Sequence, residues 1–306
     1  YNSMMVSTHR DKARVGTITS SMEHYLEWKD PYPSELDEEQ TGLCRRGPIE
    51  GWDYPKGAVI PPNSPVILDD PTAQEILFEG LFDQRNFLDI LQNFTVYEPT
   101  DGRIIKKIPR YQQFRAVHKT IERLKSSKKP QERGGVIWHT QGSGKSLTMV
   151  FLSIKIRRDP DLRDHKLVFL TDRTQLDGQL TTTFRNAQGE TIQNASSVAE
   201  LKDLLAKDSS DIVTAMVQKF QENADELEFP VLNESSKIIV LADEAHRTQY
   251  GTLGAAINVA LPNAPRIAFT GTPLIKTQKT TNTFGSYIDT YTIEQAVKDG
   301  ATVQIL

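Results

Sequence analysis

The sequence predicts an α/β domain, a parallel β-sheet flanked by helices, preceded by a smaller, mostly helical and irregular segment. Three observations predict it. From Gly134 onward, short apolar runs alternate with helical stretches. A glycine-rich turn, HTQGSGKS at 139–146, follows one such run and opens a helix. An acidic pair, Asp243–Glu244, closes another run. Strand–helix alternation gives parallel sheets covered on both faces, and such sheets bind ligands at the carboxyl ends of their strands.

Taken in order, residues 1–71 hold eight of the sixteen prolines, all between Pro31 and Pro71, and little sustained periodicity. They predict a connector or small cap, with Val15, Ile18, Tyr25 and Trp28 as its anchors. A helical region is expected from Thr72 to about Phe94, because Leu77, Phe78, Leu81 and Phe82, then Phe87, Leu88 and Leu91, recur at helical spacing. Such a stripe is core packing. A second helix is expected over 111–125, ended by the polar stretch SSKKPQERGG. Strands follow at 135–139, 166–171, 211–216, 237–243 and 266–271. Between them helices are expected near 144–157, 173–185, 197–207 and 252–260, the third opened by a capping box, Ser197 to Glu200. The expected division is 1–100 as connector and helical cap and 101–306 as the α/β lobe.

Composition bounds the function classes. At 38% hydrophobic and 25% charged residues over 306 positions, the chain can bury a sizeable core. Its net charge of −4 shows no global basic excess, so any nucleic-acid site must be a local cluster. The single cysteine, Cys44, excludes an internal disulfide and a Cys-rich zinc site and fits a reducing cytoplasm. No apolar run reaches the roughly 18 residues of a membrane span, and the first ten residues do not read as a signal peptide.

The chemistry sits in two motifs. In HTQGSGKS, Gly142 and Gly144 let the backbone curl so that its amides, including that of Ser143, point inward. The helix start adds partial positive charge for phosphate. Lys145 is expected to reach the β- and γ-phosphates and the Ser146 hydroxyl to take Mg²⁺. The general pattern begins with Gly where this chain has His139. In LADEAHRTQ at 241–249, Asp243 is placed to hold Mg²⁺ through its water shell and Glu244 to orient the attacking water. His246 can bond a neighbouring element and report the state of the site. An Asp-Glu pair after a strand, taken alone, is more often a helix cap. The phosphate loop a hundred residues upstream reverses that reading.

These motifs resemble helicase superfamily 2, and within it the motor (restriction) subunit of type I restriction enzymes. HTQGSGKS is similar to that group's phosphate loop, leading His included. TDRTQLDGQL at 171–180 resembles its motif Ia, TAMVQKF at 214–220 the next block, DEAH at 243–246 motif II and FTGTPL at 269–274 motif III. RYQQF at 110–114 resembles the glutamine motif, and ARVGTIT at 13–19 and QAVKDGATV at 295–303 resemble flanking segments. The resemblance implies a RecA-like lobe using ATP and Mg²⁺. It implies that Gln112, or else Gln113, bonds the adenine edge. Thr270 and Thr272 would link the nucleotide site to nucleic-acid movement, bonding towards His246. Arg173 and Lys219 would face nucleic acid. Trp138, inside a strand, reads as core.

The resemblance further implies an ATP-driven translocase on double-stranded DNA, working beside methyltransferase and specificity subunits and leading to endonucleolytic cleavage. The family has an endonuclease domain with a carboxylate–lysine site, of which 1–133 carries no recognisable copy, and a second motor lobe with an arginine finger. The chain is therefore expected to be a fragment, poor in hydrolysis alone. A strand-separating helicase, a remodeller, a nucleotide-dependent scaffold and a small-molecule kinase are the other readings. Lys145, Asp243 and Glu244 speak against the scaffold, and TDRTQ, DEAH and FTGTP against the kinase.

Overall fold

The computed structural model describes residues 4–9, 11–21, 25–32, 72–100, 102–127, 129–171, 192–216, 229–243, 248–272 and 284–302. The chain divides into two compact units, Tyr1–Asp89 and Ile90–Leu306.

The first unit contains a three-stranded antiparallel sheet, β1 (Met5–His9), β2 (Lys12–Gly16) and β3 (Leu26–Glu27). The sequence reading missed it, because strands of two to five residues carry too little alternation to stand out. Val15, Tyr25 and Trp28 are buried as anchors, but Ile18 is 61% exposed. Ile18 sits in a turn closed from Ser20 N–H to the Thr17 carbonyl (2.9 Å), with the Thr17 and Ser20 hydroxyls 2.9 Å apart, so it faces out.

The single helix expected over 72–94 is two, α1 (Ala73–Gly80) and α2 (Gln84–Asn93). Thr72 opens α1 with a full capping box to Glu75. The break falls at 81–83, where the Asp83 carboxylate accepts from the backbone N–H of Arg85 (2.9 Å) and Asn86 (3.2 Å) and starts a new helix. Helical periodicity runs across such a break unchanged, so spacing alone could not reveal it.

The second unit opens with a hairpin, β4 (Val96–Thr100) and β5 (Arg103–Lys107), then α3 (Tyr111–Lys125) and the short α4 (Pro130–Arg133). Seven parallel strands follow: β6 (Gly135–His139), β7 (Lys166–Thr171), β8 (Ile192–Ala195), β9 (Ile212–Met216), β10 (Ile238–Asp243), β11 (Arg266–Thr270) and β12 (Tyr287–Tyr291). They lie in the order β12-β6-β11-β10-β7-β9-β8, every pair parallel. Helices α5 (Lys145–Arg158), α6 (Val198–Ala206), α7 (Thr248–Ala260) and α8 (Ile293–Lys298) connect or follow them. The five expected strands are all present. The helix expected at 173–185 lies outside the described residues.

The β4–β5 hairpin was not foreseen, nor were two strands of the parallel sheet, both at its edges. β8 is the polar run IQNA, and β12, YIDTY, carries an aspartate in its middle. The capping box at 197–200 is half formed. Ser197 accepts from Glu200 N–H at 3.2 Å, but the Glu200 carboxylate reaches the backbone N–H of Ser196 (2.8 Å) instead.

Helix α3 packs on α5 and on β12. Phe94 joins the first contact, its ring 5.0 Å from Phe114 and 5.4 Å from Phe151. Leu201, Leu205, Ile257 and Leu261 bury themselves in the core that contains Val168, Val213 and Val240 of the sheet.

Candidate functional site

Three neighbouring strand ends build the site. β11 pairs with β6 at Thr270↔Trp138 and with β10 at Phe269↔Asp243. Asp243 and Thr270 thus end at one level of the sheet, beside the end of β6. Adjacent strands lie ~4.8 Å apart, so β6 and β10 present their ends roughly 10 Å from each other. A triphosphate and its cation fit that span.

At the end of β6, His139 leads into the turn 140–144. Gly142 and Gly144 have φ of 83° and 85°, the left-handed region that side chains avoid. A Cβ at Gly144 would also come 2.6 Å from Gln113 Nε2, so that side chain would have to move. Helix α5 starts at Lys145, leaving its first amides for an anion. The Lys145 side chain is 4% exposed and curls back, Nζ donating to the carbonyls of His139 (3.2 Å) and Thr140 (3.5 Å). Gly271, beyond β11, comes so close that a Cβ there would lie 3.1 Å from that Nζ. Ser143 is buried and Ser146 half-buried in the first turn of α5.

Asp243, the last residue of β10, is 2% exposed. Thr270 is fully buried, and its hydroxyl accepts from Thr272 N–H at 3.3 Å while Thr272 is exposed. Glu244, His246, Arg173 and Lys219 lie outside the described residues, so the bond from Thr270 or Thr272 towards His246 does too.

The two glutamines differ. Gln113 is a tether. Its Nε2 donates to the Gly144 carbonyl (3.0 Å) and its Oε1 accepts from Arg110 N–H (2.8 Å). Gln112 is 1% exposed, and neither amide atom of its side chain has a hydrogen-bond partner. A buried amide left without partners is costly unless a ligand supplies them. This favours Gln112 as the adenine reader, with Gln113 fixing the loop.

The residues present fit Mg-ATP. The loop turns on two glycines at positive φ, Lys145 Nζ lies among carbonyl oxygens, and the Gln112 amide carries both a donor and an acceptor. Ser146 and Asp243 supply one hydroxyl and one carboxylate, the sparse oxygen set that suits Mg²⁺ with its retained waters. Among the described residues no group of three or more His, Cys, Asp or Glu side chains could hold a metal ion.

Behind the loop lies a buried polar network that the sequence reading missed. His139 Nε2 is 2.8 Å from Asp289 Oδ2 on β12, and both side chains are essentially inaccessible. Arg115 of α3 forks the same carboxylate, Nε to Oδ1 at 2.7 Å and the second contact at 3.1 Å. Lys119 adds a contact at 3.3 Å. Burial pushes the His139 imidazole below its usual value, against the pull of Asp289, so the neutral ring donates from Nε2. Burial alone would raise Asp289, but the bonds from His139 and Arg115 outweigh it and hold the carboxyl at about 2. A second carboxylate, Asp299, accepts from Tyr111 (2.6 Å) and Tyr291 (2.7 Å), and burial together with those bonds raises both phenols. The available signal was an aspartate inside an otherwise apolar strand, which must find a partner if buried.

Asp289 gives an acid-stability prediction. Its folded value lies below the ordinary 3.8, so its contribution is present above pH ~4 and is lost as pH falls through about 2. The side chain is 1% exposed, so the shift converts without a solvent discount to about 2 kcal/mol. Urea unfolding of the parent and of Asp289→Asn should therefore show a stability gap that shrinks by about 2 kcal/mol between about pH 5 and about pH 2. A gap that stays constant would mean that the carboxylate is not held low.

No helix among the described residues is long and apolar enough to cross a membrane. The SWI2/SNF2 ATPase family matches residues 112–306. The chain is 33% identical over its full length to the HindI type I restriction enzyme endonuclease subunit of Haemophilus influenzae, covering 28% of that protein. It is 38% identical, over 76% of its length, to a protein of Methanocaldococcus jannaschii assigned as the MjaIXP type I restriction enzyme endonuclease subunit, covering 22% of that protein. The chain thus spans about a quarter of the length of these relatives. A fragment structure assigned to the HsdR subunit of a type I restriction enzyme from Vibrio vulnificus YJ016 is similar over 75% of this chain and 38% of that one, at 23% identity and a TM-score of 0.42.

Proposed function

The chain belongs to the SWI2/SNF2 ATPase family and is homologous to type I restriction endonuclease subunits, and from this we propose that it is the first RecA-like motor lobe of such a subunit, hydrolysing Mg-ATP to move along double-stranded DNA before cleavage. The observation that carries the reading is the close approach of Gly271 to Lys145, with Asp243 ending the adjoining strand at the same level, within a matched ATPase domain.

In this reading Lys145 and the amides of 142–146 hold the β- and γ-phosphates, and Gln112 bonds the adenine edge. Ser146 and Asp243 hold Mg²⁺, which supplies charge neutralisation across the transferred phosphoryl group. Glu244 orients the attacking water. His246, Thr270 and Thr272 pass the state of the site to the nucleic-acid side, where Arg173 and Lys219 contact phosphates. The motor would occupy about 101–306, with 1–100 as connector and cap. Methyltransferase and specificity subunits would be its partners, in the cytoplasm, the latter choosing the DNA sequence.

Positioning and charge are the main catalytic terms in phosphoryl transfer, and an arginine finger is worth roughly 10³–10⁵ in rate. The isolated chain should therefore bind Mg-ATP but turn it over slowly. The deciding experiment compares triplex displacement with strand displacement by the assembled enzyme. Displacement of a triplex strand from intact duplex supports tracking along double-stranded DNA. Separation of the duplex strands overturns it in favour of a helicase.

A further inference from the structure

Helix α3 meets the phosphate loop at two places. In front, Gln113 bonds the Gly144 carbonyl at 3.0 Å. Behind, Arg115 forks Asp289, and Asp289 accepts from His139 at 2.8 Å. The Arg115 guanidinium also donates to the Thr290 carbonyl at 3.0 Å, which fixes it to the strand that carries Asp289. His139 is in turn part of the loop, since its carbonyl accepts from Lys145 Nζ at 3.2 Å. An unbroken chain of contacts therefore runs from Lys145 through His139, Asp289 and Arg115 to the helix that bears Gln112.

The front contact cannot set the spacing by itself. Only one neutral bond reaches the loop there, from an amide whose other end is held by Arg110 N–H. The rear contact is a two-point fork between a planar cation and a buried anion, which fixes distance and angle together. His139, in place of the usual glycine, provides the link between this fork and the loop, and its side chain turns away from the cradle.

We propose that Asp289 is a positioning residue for base selection: it holds the adenine-reading helix and the phosphate loop at one spacing, so that a nucleotide seated by its phosphates presents its base edge to Gln112. The inference rests on the nucleotide site proposed above. Only ligands with a base should sense the clamp. A phosphate chain alone needs the loop and not the helix.

The full chain is titrated calorimetrically with Mg-ATP, Mg-GTP and Mg-tripolyphosphate, beside Asp289→Asn and Arg115→Lys. An amide keeps one acceptor oxygen and sets N–H groups in place of the other, so Asp289→Asn breaks one arm of the Arg115 fork in either orientation. Arg115→Lys keeps the charge and loses the fork, and it serves if the first variant does not fold. In both, the preference for ATP over GTP should fall about ten-fold, the size of one lost neutral hydrogen bond, with tripolyphosphate binding unchanged. The double variant should lose no more than either single one, because all act through one contact. A uniform weakening of all three ligands would assign the network to stability alone and overturn the proposal, as would an unchanged preference. Absence of Mg-ATP binding in the parent, with the protein folded, would instead overturn the nucleotide site on which it rests.

Discussion

Lys145→Ala should abolish measurable Mg-ATP binding by this chain in calorimetry, while the circular dichroism spectrum of the parent is kept. Lys145 Nζ donates to the His139 and Thr140 carbonyls, so in the empty loop it already sits among oxygens. Phosphate oxygens, bearing full charge, are the stronger acceptors. Losing this one charge-assisted contact removes about 2–3 kcal/mol of binding, roughly 30- to 150-fold in affinity. Hydrolysis should fall further, by about 10²–10³-fold, because charge develops during transfer where the ammonium group would stand. Equal binding by parent and variant would sink the assignment of the loop. The fold should tolerate the change, since the Thr140 carbonyl also accepts from Ser143 N–H at 3.3 Å.

The second large effect is on stability. Phe94→Ala should lower the unfolding free energy by about 3–5 kcal/mol, read from urea midpoints. Phe94 is fully buried, with Phe114, Phe151 and the His118 ring within 5.0–5.7 Å. Its removal leaves a cavity under α3 and α5 together, the helices that carry Gln112 and Lys145. Nucleotide binding should weaken along with stability, since both helices lose their shared support. A shift below about 1 kcal/mol would mean that neighbouring side chains collapse into the space.

How much of this was legible beforehand follows from the kind of signal each part emits. The five central strands and the phosphate loop were readable because buried parallel strands are continuous apolar runs and the turn glycines stand at fixed offsets. The edge strands were not, since IQNA and YIDTY break the apolar pattern. Lys145, Ser146 and Asp243 were readable as members of local motifs. Arg115 and Asp289 are 174 positions apart and meet only through the packing of α3 on β12. The resemblance put Gln112 ahead of Gln113, but neighbours on a helix point in different directions and only the fold shows which one the loop consumes.

The register of β12 against β6 shifts between Tyr287 and Asp289, so Ile288 is an extra residue in the pairing. Gly135 makes the space for it, since a Cβ there would lie 2.5 Å from the Ile288 side chain. A strand has only two phases, and one inserted residue moves everything after it from one to the other. Asp289 thus owes its aim at His139 to counting and not to its chemical identity alone. Substitutions along this strand can weaken the carboxylate's contacts but leave its phase intact. Loss of a single residue would turn it to the opposite face. Among related chains, this edge should accordingly vary in composition far more readily than in length.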